Sequence, residues 1–227
     1  MTQSSTPTQA LPRTEPRAPL SRERVLQAAV ALADVSGIDS FSMRKLAQEL
    51  GVEAMSLYHY FASKSELLAG MLEAVYAEFE RPPADGDWRD GMRHAAISAH
   101  HTLLKHAWAC NLIGQPIGPS AAQFEWMDAI LGRLRSAGFS AEMTHHAYHA
   151  LDSHIVGFTL WVLPYLALAE TQADLGKRAL ETARNAELPH LAEHIDYHLS
   201  SDSQGDTSEF DFGLDLLLDS LERIRQG

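Results

Sequence analysis

The sequence predicts an all-α protein with a short N-terminal helical unit and a larger helical C-terminal part. Apolar residues recur at helical spacing through most of the 227 residues. Helix-capping residues and glycines stand at the ends of these segments, and the chain beyond residue 87 has no strand signal. Because 45% of the residues are hydrophobic, a sizeable core is possible and a wholly disordered chain is excluded.

Four helices are predicted between residues 21 and 81, which form the first unit. Serines stand at three of the expected starts and glycines close the first two helices. A tight turn precedes the third helix, and Ser63 and Glu66 form a capping box for the fourth. The expected spans are about 22–36, 43–50, 54–61 and 64–79.

The run from Pro82 to Asp87 breaks the chain and predicts a boundary between a unit of residues 21–81 and a unit of residues 87–227. The polar segment from Glu170 to Gly205 is predicted to be loop, with a helix near Leu188 to Leu199. Further helices are expected over Trp88 to about His106, Ala121 to Ala137, Ser140 to about Ala167 and Glu209 to Gln226.

Charge limits where nucleic acid could bind. The net charge is −12; residues 1–81 carry 8 basic and 10 acidic side chains, and residues 82–227 carry 10 and 20. Residues 1–20 contain four prolines and are predicted to be a disordered, basic arm. An acidic chain does not coat nucleic acid indiscriminately, so a contact is expected only near the N-terminus, where four arginines cluster: Arg13, Arg17, Arg22 and Arg24.

Cysteine usage and hydropathy predict a soluble, cytoplasmic protein. Cys110 is the one cysteine, so an intramolecular disulfide is impossible. The N-terminus has no apolar segment typical of a signal peptide. The longest apolar run contains Pro164 and is too short to span a bilayer, so no membrane contact is expected.

The second and third helices, joined by a glycine-containing turn, have the spacing of a helix-turn-helix. An ordinary αα-corner has similar spacing, so spacing leaves both interpretations open. Composition favours DNA binding, because Ser56, His59 and Tyr60 would form a polar aromatic face with no partner inside the unit. Hydroxyls and aromatic rings are suited to phosphates, base edges and thymine methyls.

The segment RKLAQELGVEAMSLY, within residues 21–68, resembles the DNA-binding domain of the TetR family of transcriptional regulators. The segments GFSAEM and FDFGLDLLLDSLERI more weakly resemble its tetracycline-repressor-like branch. The resemblance implies a three-helix DNA-binding domain joined by a fourth helix to a larger ligand-binding and dimerisation domain. It also implies a homodimeric repressor, not an enzyme, that a small-molecule effector releases from a pseudo-palindromic double-stranded operator.

By position, the resemblance implies a set of DNA-binding residues. Three are expected at phosphates or the groove edge, and the others in the major groove. Ala54 and Met55 stand where the tetracycline-repressor branch carries Gln and Pro, so the operator should differ. The set is Ser42, Arg44, Met55, Ser56, Tyr58, His59, Tyr60 and Lys64.

The last helix predicts a dimer, because Phe212 and Leu216 fall outside its main apolar stripe and make the apolar surface wider than one core contact requires. Burial of both helices inside one subunit is the alternative. The predicted four-helix seam uses Ile155, Gly157, Phe158, Val162, Leu214, Leu217, Leu218 and Leu221.

Position in the fold also predicts an effector pocket between three C-terminal helices. Its residues are mostly apolar with a few polar groups, as small-molecule sites usually are, and plain core packing is the alternative. The candidates are His100, Leu103, Leu104, Leu112, Phe124, Met127, Leu131, His145, Tyr148, His149 and Asp152.

The 12 histidines raise a second hypothesis. His145 and His149 share a helix face, as do His190, His194 and His198, and such pairs can bind zinc. The alternative function is therefore a His-based metal sensor or hydrolase whose N-terminal unit binds protein. The sequence has no HExxH motif and no spacing of a catalytic nucleophile, so we predict no catalytic residue, metal or cofactor.

Overall fold

A computed structural model describes residues 19–118, 120–167, 169–200 and 208–226. These ranges contain helices and no strand, which confirms the predicted all-α class. No helix within them is long and apolar enough to cross a membrane. The predicted arm falls almost entirely outside these ranges. The helices are α1 Arg22–Ser36, α2 Met43–Leu50, α3 Ala54–Leu57, α4 Lys64–Ala77, α5 Trp88–Lys105, α6 Ala107–Cys110, α7 Ala121–Ser136, α8 Ala141–Ala167, α9 Ala169–Asn185, α10 Pro189–Ser200 and α11 Glu209–Gln226.

Serine caps begin the N-terminal helices as predicted. The hydroxyl oxygens of Ser21, Ser42 and Ser63 lie at the starts of α1, α2 and α4. Each accepts a hydrogen bond from the backbone amide three residues further along the chain. Such caps satisfy amides that have no partner inside the helix and contribute about 1 kcal/mol each. Local sequence therefore fixes where these helices start.

Gly51 ends α2 in the left-handed conformation, with φ 66° and ψ 38°. Its amide donates to the carbonyls of Ala47 and Gln48, so carbonyls at the end of the helix are satisfied within one tight turn. A side chain strains this conformation, which explains why glycine is needed between α2 and α3.

The third helix is shorter than predicted. The sequence pattern indicated a helix over residues 54–61, but α3 ends at Leu57 and hydrogen-bonded turns continue to Phe61. Tyr60 accounts for the difference, because its carbonyl and hydroxyl bond to Arg22 and Leu20 at the start of α1. Leu57 and Phe61 are both buried, so the shortened segment still packs on α1 and α2.

One continuous hydrophobic core runs from the N-terminal unit into the C-terminal part. Helix α4 packs against α1 on one side and α7 on the other, while α8 packs against α5, α7 and α11. The buried side chains of α4 include Leu67, Met71 and Val75. Helix α4 is therefore one physical connection between the two parts.

The segment after α8 is helical, whereas most of it was predicted to be loop. Helices α9 and α10 form an antiparallel pair, joined by a turn in which Glu187 has a φ of 53°. Leu180 and Ala183 are buried in this pair, and most of its other described side chains are exposed. A two-helix pair needs only a narrow apolar stripe, so its polar composition resembles that of a loop.

Charged side chains hold α11 on α5. Arg93 bonds to Asp211 at 3.0 Å and to Asp215 at 2.9 Å, and Arg89 bonds to Asp219. The three aspartates follow one face of α11 at intervals of four residues, and the arginines match them on α5. This ladder orients α11 and determines which of its faces remains exposed.

We predict that Gly51→Ala lowers the free energy of unfolding by about 1 kcal/mol, because alanine is strained at a positive φ. The matched control is Gly132→Ala in α7, where an added Cβ meets no atom within 4 Å and φ is ordinary. The control should instead raise stability, by up to about 1 kcal/mol, because alanine favours helix. Urea unfolding followed by circular dichroism measures both; equal effects of the two substitutions would contradict the explanation.

Candidate nucleic-acid interface and effector site

The end of the helix-turn-helix presents an exposed surface. Met55 is 71% and Tyr58 42% exposed, and His59 and Arg44 are also exposed. Leu57, between them, is fully buried and fixes the orientation of α3. Because this surface carries an imidazole, a phenol and a guanidinium group, it can donate hydrogen bonds to phosphates and base edges.

Three of the predicted DNA-binding side chains form hydrogen bonds within the protein. The Tyr60 hydroxyl donates to the Leu20 carbonyl at 2.8 Å, so it faces α1 rather than the exposed surface, which corrects its predicted groove position. The Lys64 ammonium donates to the Phe41 carbonyl at 3.0 Å, although its side chain remains exposed. Ser42 caps α2. These residues support the exposed surface of Arg44, Met55, Tyr58 and His59, which we call the reading surface.

Arg22 of α1 bonds both to the turn that follows α3 and to α4. Its Nη1 donates to the Tyr60 carbonyl at 2.6 Å and to Glu66 at 3.0 Å, and its guanidinium lies 4.1 Å from the Phe61 ring centre. The other Glu66 oxygen accepts from the Ala62 amide at 2.7 Å. That amide bond and Arg22 lower the pKa of Glu66. The sequence pattern predicts only that Arg22 belongs to a basic cluster, and no local signal indicates these bonds.

A buried histidine joins the helix-turn-helix to the body. His106 Nδ1 lies 2.7 Å from Asp34 of α1, and its Nε2 lies 3.3 Å from Glu78 at the end of α4. The Trp108 indole donates to the same Asp34 oxygen at 2.6 Å. Lys105 also bonds to Glu78, at 2.7 Å. We call Asp34, Glu78, His106 and Trp108 the interdomain latch.

Helix α4 has a second connection to the body, at the start of α7. Glu73 accepts hydrogen bonds from the Ala122 amide, at 3.0 Å, and from the Ser120 hydroxyl. A carboxylate at a helix N-terminus also interacts favourably with the helix dipole. Any displacement of α4 would therefore change contacts in both parts of the protein.

His100 lies at a helix junction rather than with the other polar effector candidates. It is buried, its Nδ1 lies 2.7 Å from Thr159 Oγ1, and its ring stacks on Phe210 with centroids 4.0 Å apart. Because the Thr159 hydroxyl already donates to the Ile155 carbonyl, Nδ1 is the donor. Burial, with smaller contributions from His101 and His154, lowers the His100 pKa to about 4. The neutral ring thus joins α5, α8 and α11.

The remaining effector candidates divide between core and surface. Phe124, His145 and His149 are exposed in the single chain, whereas Leu103 and Leu112 are buried. The other members are half-buried: Leu104, Met127, Leu131, Tyr148 and Asp152. The predicted set is therefore not one continuous pocket lining, because helix faces that were grouped by position point in different directions.

Tyr76 of α4 lies near Tyr148 and Asp152 of α8, and two further buried polar side chains, Trp126 and Thr144, lie on α7 and on α8. Tyr76 is buried, and its raised pKa results from burial and from the nearby Asp152 and Tyr148. Trp126 and Thr144 are each 4% exposed, and Trp126 Nε1 and Thr144 Oγ1 have no hydrogen-bond partner among the described residues. We call these five residues the interior polar group.

The interior polar group contains two of the candidates, Tyr148 and Asp152, and three residues that sequence analysis missed. Thr144, Tyr148 and Asp152 recur every four residues on α8, a spacing that could have identified one polar face. Tyr76 and Trp126 come from distant helices, and no local pattern marks them. Buried polar groups normally have partners, so the unpaired indole and hydroxyl require an explanation.

The predicted dimer residues are partly buried within one chain. Ile155 of α8 is buried, and so are three leucines of α11: Leu214, Leu218 and Leu221. This corrects their assignment to a subunit interface, because that stripe faces the subunit's own core. Gly157 is exposed, and Phe158, Val162 and Leu217 are half-buried.

A different apolar face of α8 and α11 is exposed. Phe212 is 62% and Leu216 53% exposed on α11, and Trp161 is 54% and Tyr165 47% exposed on α8. Phe212 and Leu216 are the two residues that fall outside the main apolar stripe of α11 in the sequence. Phe212 and Leu216 remain exposed because the other two faces of α11 are occupied. One of these faces carries the aspartate ladder and the other carries the buried leucine stripe.

Two pairs of the candidate metal-binding histidines lie close together. The rings of His145 and His149 lie 4.5 Å apart, and those of His194 and His198 lie 4.7 Å apart. Across residues 19–118, 120–167, 169–200 and 208–226, no group of three His, Cys, Asp or Glu side chains could hold a metal ion. A surface cavity of about 430 Å³ is lined by the Arg–Asp ladder and by none of the effector candidates.

Two known domains match nearly the whole chain. Residues 25–71 match the bacterial regulatory proteins of the tetR family, and residues 82–225 match the tetracyclin repressor-like C-terminal domain. The chain belongs to the tetR family. It is therefore a ligand-responsive, DNA-binding transcriptional regulator, as the helix-turn-helix and the helical C-terminal part indicate.

Similar tetR-family proteins include named repressors. The HTH-type transcriptional repressor DrrR1 of Streptomyces coeruleorubidus is 34% identical over 91% of this chain and 79% of its own length. The tetracycline repressor protein class A from transposon 1721 of Escherichia coli is 33% identical over 91% and 92%. The structure of ActR from Streptomyces coelicolor in complex with (S)-DNPA is 26% identical, covers 92% of this chain and 100% of its own, and has a TM-score of 0.69.

We predict that Asp34→Ala destabilises the protein by about 1–3 kcal/mol, because the buried His106 and Trp108 lose their shared acceptor. Asp34→Asn keeps an acceptor oxygen and should cost less. Asp128→Ala, at an exposed position in α7, is the control and should change stability by less than about 0.5 kcal/mol. Urea unfolding gives all three values; an Asp34→Ala effect equal to the control would show that the latch does not contribute to stability.

Proposed function

We propose that this tetR-family regulator is a homodimeric repressor that binds a pseudo-palindromic operator and is released by a small molecule. The observation that carries the proposal is the exposed side-chain set of α3, fixed in orientation by the buried Leu57 and by the Arg22 bonds. DrrR1 and the class A tetracycline repressor are both named repressors, which supports the same direction of control.

The DNA contacts divide by distance from the groove. Met55, Ser56, Tyr58 and His59 would enter the major groove on α3 and the following turn. Arg44, Lys64 and Ser42 would lie beside phosphates, and Lys64 can keep its Phe41 bond while facing one. The acidic C-terminal part restricts DNA contact to this surface and so favours specific over indiscriminate binding.

The proposed dimer uses the exposed apolar face of α8 and α11. Paired copies of Phe212, Leu216, Trp161 and Tyr165 would form a four-helix seam around a two-fold axis. Such a dimer carries two helix-turn-helix units, one from each subunit, which we call the reading heads. Binding to successive major grooves places the two reading heads about 34 Å apart. Residues 21–81 would then act as the reading domain and residues 87–227 as the effector and dimer domain.

The effector site in this proposal is the interior polar group, because Tyr76 of α4 lies there near Asp152 and Tyr148, and because Trp126 Nε1 and Thr144 Oγ1 have no hydrogen-bond partner among the described residues. A ligand there would contact Tyr76 of α4, the helix that also carries Glu73 and Glu78. Ligand binding shifts a regulator only when it favours one arrangement of the protein. Displacement of α4 would alter the latch and the position of the reading head. The site performs no chemistry, and the regulator acts in the cytoplasm on operator DNA.

We predict that Tyr58→Ala weakens operator binding by about 1–3 kcal/mol, through loss of a groove contact. The operator is obtained first by selecting random duplexes with the purified protein, and affinity is then measured by fluorescence anisotropy. Tyr197→Ala, at a 69% exposed position on α10, is the matched control and should leave affinity unchanged. Unchanged affinity of Tyr58→Ala would place the reading surface elsewhere.

We predict that Leu216→Asp dissociates the dimer, because it places a charge in an apolar seam. Light scattering after size-exclusion chromatography should give the mass of one chain, with helical content retained. Leu188→Asp replaces another half-exposed leucine, at the α9–α10 turn, and should leave the dimer intact. A dimeric Leu216→Asp protein would exclude this face as the seam.

A further inference from the structure

The interior polar group contains a carboxylate, Asp152, that forms no ion pair among the described residues. Asp152 is half-buried on the inward face of α8, and burial raises the pKa of its carboxyl. His149, one turn earlier, partly offsets that increase but is itself exposed. Burying a carboxylate without a partner is costly, so a partner from outside the chain would be favoured.

Two phenol rings accompany this carboxylate. Tyr148 lies one turn before Asp152 on α8, and Tyr76 interacts with both from α4. Burial raises the pKa of Tyr148 to about 12 and that of Tyr76 further, so both rings stay neutral at physiological pH. Aromatic rings beside a carboxylate attract organic cations, because the ring face is electronegative.

The interior polar group also has two unused donors. Trp126 Nε1 and Thr144 Oγ1 have no partner among the described residues, although both side chains are more than nine-tenths buried. Thr144 shares the inward face of α8 with Tyr148 and Asp152, at intervals of four residues. A ligand that supplies a hydrogen-bond acceptor in addition to a charge would satisfy both kinds of group.

We infer that the effector of this regulator is an aromatic organic cation, whose charged nitrogen pairs with Asp152 beside Tyr76 and Tyr148. This inference rests on the proposed function, because it specifies the ligand class of the same site. The carboxylate supplies the charge, the phenol rings supply the aromatic wall, and Trp126 and Thr144 supply donors for an oxygen of the ligand. An uncharged effector is the competing outcome of the test.

The test uses probes of matched shape and different charge. (4-Methoxyphenyl)trimethylammonium is compared with 4-tert-butylanisole, and (6-methoxynaphthalen-2-yl)trimethylammonium with 2-tert-butyl-6-methoxynaphthalene, because the members of each pair share their shape and ether oxygen and only the first is charged. Isothermal titration calorimetry on the full-length protein gives each affinity. The variants are Asp152→Asn, which keeps size and removes charge, and Asp128→Asn, which removes an exposed charge from α7.

We expect at least one cation to bind about tenfold or more tightly than its uncharged partner, and Asp152→Asn to abolish that preference. Asp128→Asn should retain it, and circular dichroism should show that both variants remain folded. Equal binding of cation and uncharged partner overturns the inference, as does a cation preference that survives in Asp152→Asn. Absence of binding by all four probes also overturns it.

Operator selection with the unliganded protein separates this inference from the proposed function. Enrichment of a palindrome, without any cation preference, leaves the repressor in place and rejects only the ligand class. Cation binding without operator enrichment would support the ligand class and reject the proposed repressor function.

Discussion

The rest of the structure depends on a buried histidine between two carboxylates. His106 comes from the body of the protein, whereas Asp34 and Glu78 come from α1 and the end of α4. Hydrogen bonds to charged groups contribute about 1.5–3 kcal/mol each. Asp34 accepts one more such hydrogen bond, from the Trp108 indole. These bonds set the orientation of the helix-turn-helix relative to the body, so they also set where its exposed residues point.

Helix α4 lies between this latch and the interior polar group. Tyr76 faces Asp152 and Tyr148, Glu73 accepts hydrogen bonds at the start of α7, and Glu78 reaches His106. All three residues lie within two turns at the C-terminal end of α4, a helix that packs against α1, α5 and α7. A closely packed interior transmits displacement because it has little free volume. In the proposed mechanism the same helix would therefore link ligand contact to the orientation of the helix-turn-helix.

Helix α11 shows how one amphipathic element uses three faces. Leu214 and Leu218 pack into the subunit's own core, the aspartates pair with Arg89 and Arg93, and Phe212 and Leu216 remain exposed. Because the ionic face and the buried face are already occupied inside one chain, the remaining apolar face is the one available to a second copy. The ladder thus gives the exposed stripe its direction.

Local sequence was sufficient for three of the four N-terminal helices, whereas α3 is shorter than predicted. The serine caps, Gly51 and the 3.6-residue periodicity determine α1, α2 and α4, because caps and turns involve residues within four positions of one another. Tertiary structure decided the partners: Tyr60 bonds to Leu20, His100 stacks on Phe210, and Tyr76 meets Asp152 across a large separation in sequence. Periodicity defines the faces of a helix but cannot say which face meets its own core, a partner or solvent, since that depends on how distant helices pack.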